Sequence, residues 1–515
     1  MTLLLAWLGG ALQALASAYA PADAWTGWHA PGLGWLPGVL ELLGLVLLVS
    51  ALQACTGPGR LKKASAAAFG FGLCWLAGST WWLYISMHRY GGLPAWMAAL
   101  AVLALAAVLS LYLVLASMAY VRWRSGRLRS DAPLFAALWL LVELARARWF
   151  TGFPWAAAGY AHVDGPLAAW APWVGVYGMG AVAALLAVAL AAALQQGAAW
   201  RRRLGVLAAV ALLWLVPPWL PAQYTRSAGS LAVTLIQGNV PQDEKFDETR
   251  LPAVLHWHLQ ALHQARGDLV VAAETAIPLL PVQMPPGLWD ALARPFAQGT
   301  THALFGVPLG DFDTGYTNSA VGLGPGQPVY RYDKHHLVPF GEFIPPGFHW
   351  FVEMMNIPLG DFNRGPLVAP SMPVLGQRVA PNICYEDLFG EELAARFADQ
   401  SQAPTVLANL SNIGWFGNSV AVAQHLQISR LRTLELQRPM LRATNTGATA
   451  VIDHRGVVLA ALAPYTQGVL EARVEGRSGT TPYAWWVGHW GLWPAWGLAG
   501  LVVLLGAGRA WRRRR

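Results

Sequence analysis

Cys384 is the one cysteine in a polar part of this chain; Cys55 and Cys74 lie in or beside apolar runs, where small thiols are commonly buried and inert. It closes the strand-like run Arg378-Val-Ala-Pro-Asn-Ile and is followed by Tyr385, Glu386 and Asp387. Two more strand-like runs lead into ionisable residues: Val271-Ala-Ala into Glu274, and Tyr330-Arg-Tyr-Asp into Lys334, with Glu342 shortly after. A free thiol titrates near about 8.5 and is only partly thiolate at neutral pH. An adjacent carboxylate can take its proton, and an ammonium can stabilise the thiolate. The same ammonium, with a backbone N–H after the cysteine, can hold the oxyanion of a tetrahedral intermediate. Glu, Lys and Cys are therefore a self-sufficient set for acyl transfer. Taken singly, each has a plainer reading: a structural thiol, a cap, a solvated charge. Jointly they favour chemistry, because the chain holds only four lysines (Lys62, Lys63, Lys245, Lys334) against 31 arginines. Arginine stands wherever a generic positive charge suffices. Ligands of α/β sheets gather outside the carboxyl ends of strands, so the three ends are expected to converge.

These residues sit in a chain of two textures. It is 55% hydrophobic and 12% charged, about half the charge of a soluble domain. Eight apolar stretches are long enough to be spanning helices: roughly 2–20, 37–54, 67–87, 95–119, 133–150, 168–194, 204–220 and 487–508. Basic residues follow the second (Arg60, Lys62, Lys63), the fourth (Arg122, Arg124, Arg127, Arg129), the sixth (Arg201, Arg202, Arg203) and the eighth (Arg509, Arg512 to Arg515). The positive-inside rule then puts both termini in the cytoplasm. Residues 222–486, with 17 Lys/Arg and 22 Asp/Glu, fall on the outer side. Positive charge confined to short loops between apolar runs is a topology signal, not a nucleic-acid surface. Residues 1–20 end in Ala-Ser-Ala-Tyr-Ala but lack the basic start of a cleaved leader, so they are expected to be retained. Glu143 lies one turn from Arg146 and is expected to pair with it; Arg146 and Arg148 are candidates for contact with lipid headgroups.

From Ser230 onward short β-branched runs alternate with helical stretches. Strands are expected near 231–236, 268–273, 302–307, 319–323, 378–383, 405–410, 441–444 and 448–452, and helices over 248–266 and 419–437. This alternation predicts an α/β domain with a buried sheet. No zinc spacing, phosphate loop or dinucleotide fingerprint occurs in it.

In the Glu-Lys-Cys order and in the segments around it, the chain resembles the carbon–nitrogen hydrolase (nitrilase) superfamily. Within that superfamily it is similar to the apolipoprotein N-acyltransferases. The resemblance runs through Ile236-Gln-Gly-Asn-Val-Pro-Gln242, Glu274-Thr-Ala-Ile-Pro278, Tyr332-Asp-Lys334 to Gly341-Glu342, Ile383-Cys-Tyr-Glu386, Trp415-Phe-Gly417 and Arg442-Ala-Thr-Asn-Thr-Gly447. Outside the polar domain it includes Thr151-Gly-Phe-Pro-Trp155 and Trp82 to Gly92. The family often has Asn-Asp-Ala before Trp-Phe-Gly, where this chain reads Asn412-Ile413-Gly414; no acidic role is available at 413.

The eight apolar spans predict a polytopic membrane domain of eight transmembrane helices, and the resemblance implies that it is joined to a nitrilase-like αββα sandwich. Its divisions would be 1–221, 222–486 and 487–515. It implies Cys384 as nucleophile, Glu274 as general base and Lys334 as oxyanion and thiolate stabiliser, with Glu342, Tyr385 and Glu386 in support. It implies a phospholipid donor, typically phosphatidylethanolamine, and as acceptor the α-amine of a diacylglyceryl-cysteine at the N-terminus of an apolipoprotein. The setting would be the bacterial inner membrane, with catalysis on the periplasmic face and no metal or soluble cofactor. Trp415, Phe416, Phe340, Phe351 and Met354 are the candidate substrate contacts. The aromatic segment after Lys334, which also holds Phe343, Phe348, Trp350 and Met355, is expected to form a lid that dips into the outer leaflet. Two other readings compete. A membrane-anchored amidase would use water as acceptor, but has no use for Thr151 to Trp155. A transporter with an inert outer domain would not keep the three reactive residues, and internal repeats are absent.

Overall fold

The computed structural model describes residues 1–18, 34–194, 200–215, 219, 223–245, 247–311, 313–348, 350 and 362–513. The N-terminal part is helical: α1 (Thr2–Ala18), α2 (Leu36–Ala54), α3 (Arg60–Thr80), α4 (Ala95–Trp123), α5 (Leu128–Arg148), α6 (Ala171–Leu194) and α7 (Trp200–Leu215). Among the described residues, three helices are long and apolar enough to cross a membrane: Leu36–Ala54, Ala95–Trp123 and Pro166–Leu194. These lie where spans two, four and six were expected. Helices also fill the third and fifth positions, but Arg60, Lys62 and Lys63 in α3 and Asp131, Glu143, Arg146 and Arg148 in α5 dilute their hydropathy. Within the described residues α1 and α7 are apolar but shorter; the rest of expected spans one and seven, residues 19–20, 216–218 and 220, lies outside the described residues.

The last expected span is corrected. Residues 487–508 are not one straight helix: α11 (Pro482–Trp490) and α12 (Trp493–Arg512) meet at 90°. Gly491 takes φ 56° between them, a left-handed value open to glycine. Taken as one span, the pair would be a fourth by length and composition.

Glycine brings α1 against its neighbours. A β-carbon on Gly9 would come within 2.7 Å of the Gly44 carbonyl, and one on Gly10 within 2.4 Å of that of Phe71. Small residues at crossings are how helices pack where lipid offers no hydrophobic drive.

Among the described residues, the polar part forms two six-stranded sheets. One runs β12-β1-β2-β3-β4-β5, with β1 (Thr225–Gln237), β2 (Leu269–Ala272), β3 (His302–Asp311), β4 (Gly315–Leu323), β5 (Tyr330–Asp333) and β12 (Gly468–Gly479). The other runs β11-β10-β9-β8-β7-β6, with β6 (Met372–Val374), β7 (Gln377–Ile383), β8 (Val406–Ser411), β9 (Met440–Thr444), β10 (Ala450–Ile452) and β11 (Val458–Ala461). Val233, Leu235, Val271 and Leu304 of the first sheet pack against Val379, Ile383, Ala408 and Leu441 of the second. Helices α8 (Leu251–Gln264) and α9 (Leu288–Gln298) cover the outer face of the first sheet. Helix α10 (Ala421–Leu436) covers that of the second. The layers are thus αββα. Every expected strand and both expected helices are present; the antiparallel pairing of β12 along β1 was not foreseen.

The second sheet's helical layer also meets the bundle. Trp82, Trp155 and Ala156 pack into one apolar cluster with Phe389, Leu393, Val422 and Leu426. Arg146 corrects an expectation. It is buried, donates to the Trp155 carbonyl at 2.7 Å and lies over the Trp75 ring, so it meets no headgroup. Its contact with Glu143 is 3.9 Å.

Candidate active site

Glu274 follows β2, which is paired in parallel with β1 and β3. Past the end of β2, Gly306 on β3 keeps the chain in register, its N–H donating to the Ala273 carbonyl at 3.2 Å. A β-carbon at Gly306 would lie 2.3 Å from the Thr275 nitrogen and 2.7 Å from Glu274 Cα. Only glycine lets the two backbones approach this closely. Lys334 directly follows β5, and its N–H donates to the Asn318 carbonyl on β4. Cys384 directly follows β7. The antiparallel partner β6 reaches only as far as Val379, so beyond it β7 has a free side and tolerates Pro381, which has no N–H to donate.

The ionisable groups form one buried network. Lys334 Nζ lies 2.8 Å from Glu342 Oε1 and 3.4 Å from Glu274 Oε1. The Asn318 side-chain amide donates to both of these oxygens at 2.7 Å. Glu274 Oε2 accepts the Asn412 N–H at 2.8 Å, and Glu342 Oε2 that of Val338 at 2.8 Å. Glu386 is a structural clasp: it accepts from Tyr332 Oη, from the N–H of Ile383, and from those of His335 and His336. One carboxylate thus ties the strand that carries Cys384 to the loop that carries Lys334. Tyr385 Oη donates to the Gly152 carbonyl at 2.9 Å, and His336 Nε2 lies 3.0 Å from that of Thr151. The Thr151 to Trp155 loop, which the sequence set against an amidase, therefore sits against the residues flanking the candidate reactive groups.

Burial would push the Glu274 carboxyl up, but Lys334, Asn318, Lys245 and the Asn412 N–H outweigh it and hold it below the usual carboxylate range. Burial alone would lower the Lys334 ammonium; Glu342 and Glu274 reverse this and hold it well above the ordinary lysine value. Cys384 is pushed up to about 12, by burial and by the Glu274 charge, with Lys334 pulling the other way. At neutral pH the resting site therefore holds a carboxylate, an ammonium and a neutral thiol.

Two members escaped the sequence reading. Lys245 is only 4% exposed, and its Nζ donates to the Glu274 backbone carbonyl at 3.1 Å. Burial pulls its pKa down to about 8, against the raising effect of Glu274 and Cys384. Its signal was available, since it is one of the four lysines that arginine has not displaced. Asn318 gave none: a lone Asn in a strand is unremarkable until the two carboxylates are placed around it.

The aromatic candidates lie toward the bundle. Phe416 packs on Trp82 with centroids 4.3 Å apart, and Trp415 meets Tyr90 edge-on at 5.7 Å. Phe340 packs on Phe348 and on the cluster of Leu93 and Ala98. Phe351 and Met354 lie outside the described residues. Ile413 is buried in the apolar layer between sheet and bundle, which accounts for an apolar residue there.

Residues 14–189 match the apolipoprotein N-acyltransferase N-terminal domain, and residues 232–483 match the carbon-nitrogen hydrolase family. An apolipoprotein N-acyltransferase of Verminephrobacter eiseniae is 52% identical over 92% of this chain and 91% of its own length. One of Ralstonia nicotianae is 49% identical over 94% of this chain and 91% of its own. Among solved structures, a CN-hydrolase superfamily protein of Xanthomonas campestris is similar at 18% identity and a TM-score of 0.38, covering 48% of this chain and 91% of that one. With two matched domains in this order and relatives of this identity along nearly its whole length, the chain belongs to the apolipoprotein N-acyltransferase family, whose C-terminal part is a carbon-nitrogen hydrolase domain.

Proposed function

We propose that this protein moves one acyl chain from a membrane phospholipid, phosphatidylethanolamine being the expected donor, to the α-amine of the N-terminal diacylglyceryl-cysteine of apolipoproteins. Cys384 carries the acyl group between the two as a thioester. Glu274 takes the Sγ proton as the sulfur attacks the ester carbonyl of the donor. Lys334 and the Tyr385 N–H hold the oxyanion that forms. Collapse of the intermediate breaks the ester C–O bond, and the proton on Glu274 passes to the leaving lysophospholipid oxygen. In the second half the acceptor amine attacks the thioester and gives its proton to Glu274. The C–S bond breaks, and the sulfur recovers the proton. The scheme is ping-pong. Glu342 holds Lys334, and Glu386 holds the frame.

The observation that carries this reading is the buried cluster at the strand ends that also carry Cys384: Lys334 lies 3.4 Å from Glu274 and 2.8 Å from Glu342, and the Asn318 amide bridges both carboxylates; in this setting burial and the Glu274 charge push the thiol up. A base held below the ordinary range transfers a proton from such a thiol only in concert with attack. That favours a site where the carbonyl is delivered before the thiolate exists.

The membrane context extends the proposal. We read eight crossings, divided as 1–221, 222–486 and 487–515, with both termini cytoplasmic and the site on the periplasmic face of the bacterial inner membrane. The four basic loops and the apolar helices support this. Phe340, Trp415 and Phe416 would line the acyl path, and Phe348 and Trp350, 44% and 60% exposed, would meet the outer leaflet.

The test is reconstitution. Purified protein given phosphatidylethanolamine and a synthetic diacylated lipopeptide should yield triacylated peptide and an equal amount of lysophospholipid. Cys384→Ala and Glu274→Gln should yield neither. Free fatty acid in place of triacylated peptide would instead make the protein a hydrolase.

A further inference from the structure

Behind the nucleophile lies a second polar network that the transfer chemistry does not use. Cys384 has φ 52°, a left-handed value that a residue with a β-carbon keeps only when its surroundings hold it there. Its carbonyl accepts from Asn409 Nδ2 at 3.1 Å and faces His425 Nε2 at 3.3 Å. The tautomer of His425 follows from its other side. Arg442 Nη2 lies 2.7 Å from His425 Nδ1, and a guanidinium can only donate. Nδ1 must therefore be the acceptor and Nε2 must carry the hydrogen. That N–H is shared between Asp387 Oδ1, at 2.8 Å, and the Cys384 carbonyl. Ser429 Oγ donates to Asp387 Oδ2 at 2.5 Å and accepts from Arg442 Nη1 at 2.6 Å, closing the ring of contacts. All four side chains are buried.

The network is anchored outside the catalytic sandwich. Trp155, in the loop after α5, stacks on the His425 ring with centroids 5.7 Å apart and planes at 26°. Its Nε1 donates to Gln424 Oε1 at 2.7 Å, and Trp82 Nε1 donates to the same oxygen at 3.0 Å. The Gln424 amide donates to the carbonyls of Ser17, on α1, and Ser79, on α3. Consecutive residues of α10 thus read the bundle on one side and the nucleophile's backbone on the other.

We propose that His425 is a positioning residue: its Nε2–H holds the Cys384 carbonyl, and the membrane bundle orients its ring through Trp155. Docking of the sandwich on the bundle thereby keeps the thiol in reactive geometry. This rests on the reading of Cys384 as the acyl carrier, and the experiment separates the two.

Full-length variants His425→Leu, His425→Gln, Trp155→Leu and Trp155→Phe are compared in detergent-lipid micelles. Two readouts are taken: the rate of Cys384 alkylation by iodoacetamide, and the kcat and KM of acyl transfer. His425→Leu should slow both alkylation and kcat by about 10-fold or more, with KM changed by less than about 2-fold. Glutamine can donate to the carbonyl and accept from Arg442, so His425→Gln should recover most of the loss. Trp155→Leu should give a smaller loss of the same kind, and Trp155→Phe, which keeps a stacking ring but not the Nε1–H donor to Gln424, should lose less than Trp155→Leu. Wild-type rates in His425→Leu would overturn the proposal. Equal losses in His425→Leu and His425→Gln would show packing, not the hydrogen bond, and also overturn it. A wild-type alkylation rate in Trp155→Leu would remove the bundle from it, and this variant reports even if His425→Leu fails to fold. Were wild-type protein to form no acyl-Cys384, the acyl-carrier reading would fail by itself, and alkylation rates would still judge His425.

Discussion

Removing the charge of Glu274 should have two opposite effects. Glu274→Gln deletes the proposed base, and transfer should fall by about 10²- to 10⁴-fold. It also deletes a negative charge that raises the Cys384 pKa, so the thiol should become more acidic. Site-resolved alkylation across pH would show the Cys384 curve moving down from about 12 while turnover is lost. A curve that stays or moves up would contradict the assigned proton distribution. Lys245 permits a subtler test at the same scale. Because Glu274 is held below the ordinary carboxylate range, transfer should be flat at neutral pH and fall only as pH drops through the Glu274 pKa. Part of that depression comes from Lys245. Lys245→Met should therefore start the fall at a higher pH; an unmoved acid limb would exclude Lys245 from tuning Glu274. This residue also marks how far the sequence could be read. The reasoning that raised Lys334, a lysine kept where arginine prevails, applied equally to Lys245, but no strand end pointed to it. Asn318 was invisible, because its value lies wholly in two carboxylates brought from distant parts of the chain.

At the scale of elements, the site depends on strand ends meeting within tenths of an ångström. Gly306→Ala inserts a β-carbon where the Thr275 nitrogen already stands, so the end of β2 must shift. The expected cost is about 1–3 kcal/mol of stability, seen as a lower melting temperature, together with a fall in kcat as Glu274 moves. A variant with unchanged melting and turnover would show that the strand ends are not so tightly set. Strands were readable because buried β-branched runs end at turn residues, as Val271 to Glu274 and Arg378 to Cys384 do. The pairing of β12 with β1 was not, because its burial alternates and its partner lies far away in sequence. The break at Gly491 was missed for a related reason: a single glycine in an apolar run does not announce its own φ.

At the scale of the whole molecule, the sandwich is seated on the bundle by side chains from both. From the bundle side Trp155 stacks on His425 and bonds to Gln424, and Arg146 in turn holds the Trp155 carbonyl. In the sequence Arg146, near the end of an apolar span, is a candidate for contact with lipid headgroups; the structure buries it under Trp155, because the loop of residues 151–155 folds back over the helix it leaves. The arrangement of charged loops makes a topological prediction. A fluorescent-protein fusion at Arg515 should light up in the cytoplasm, and an alkaline phosphatase fusion at residue 223 should be active. The reverse pattern would invert the orientation and put the site on the wrong side for its acceptor. Isolated residues 222–486 should expose the apolar layer of Phe389, Leu393, Val422 and Leu426 that the bundle covers. Dye binding to exposed apolar surface should show it.

The central claim is that Cys384 carries the acyl chain between two substrates. Mass spectrometry of the purified protein after incubation with labelled phospholipid tests it most directly. An acyl adduct on Cys384 that persists in water and clears on adding a diacylated lipopeptide, with the label appearing on the peptide amine, is the predicted result. No adduct on Cys384, together with transfer that survives in Cys384→Ala, would contradict it.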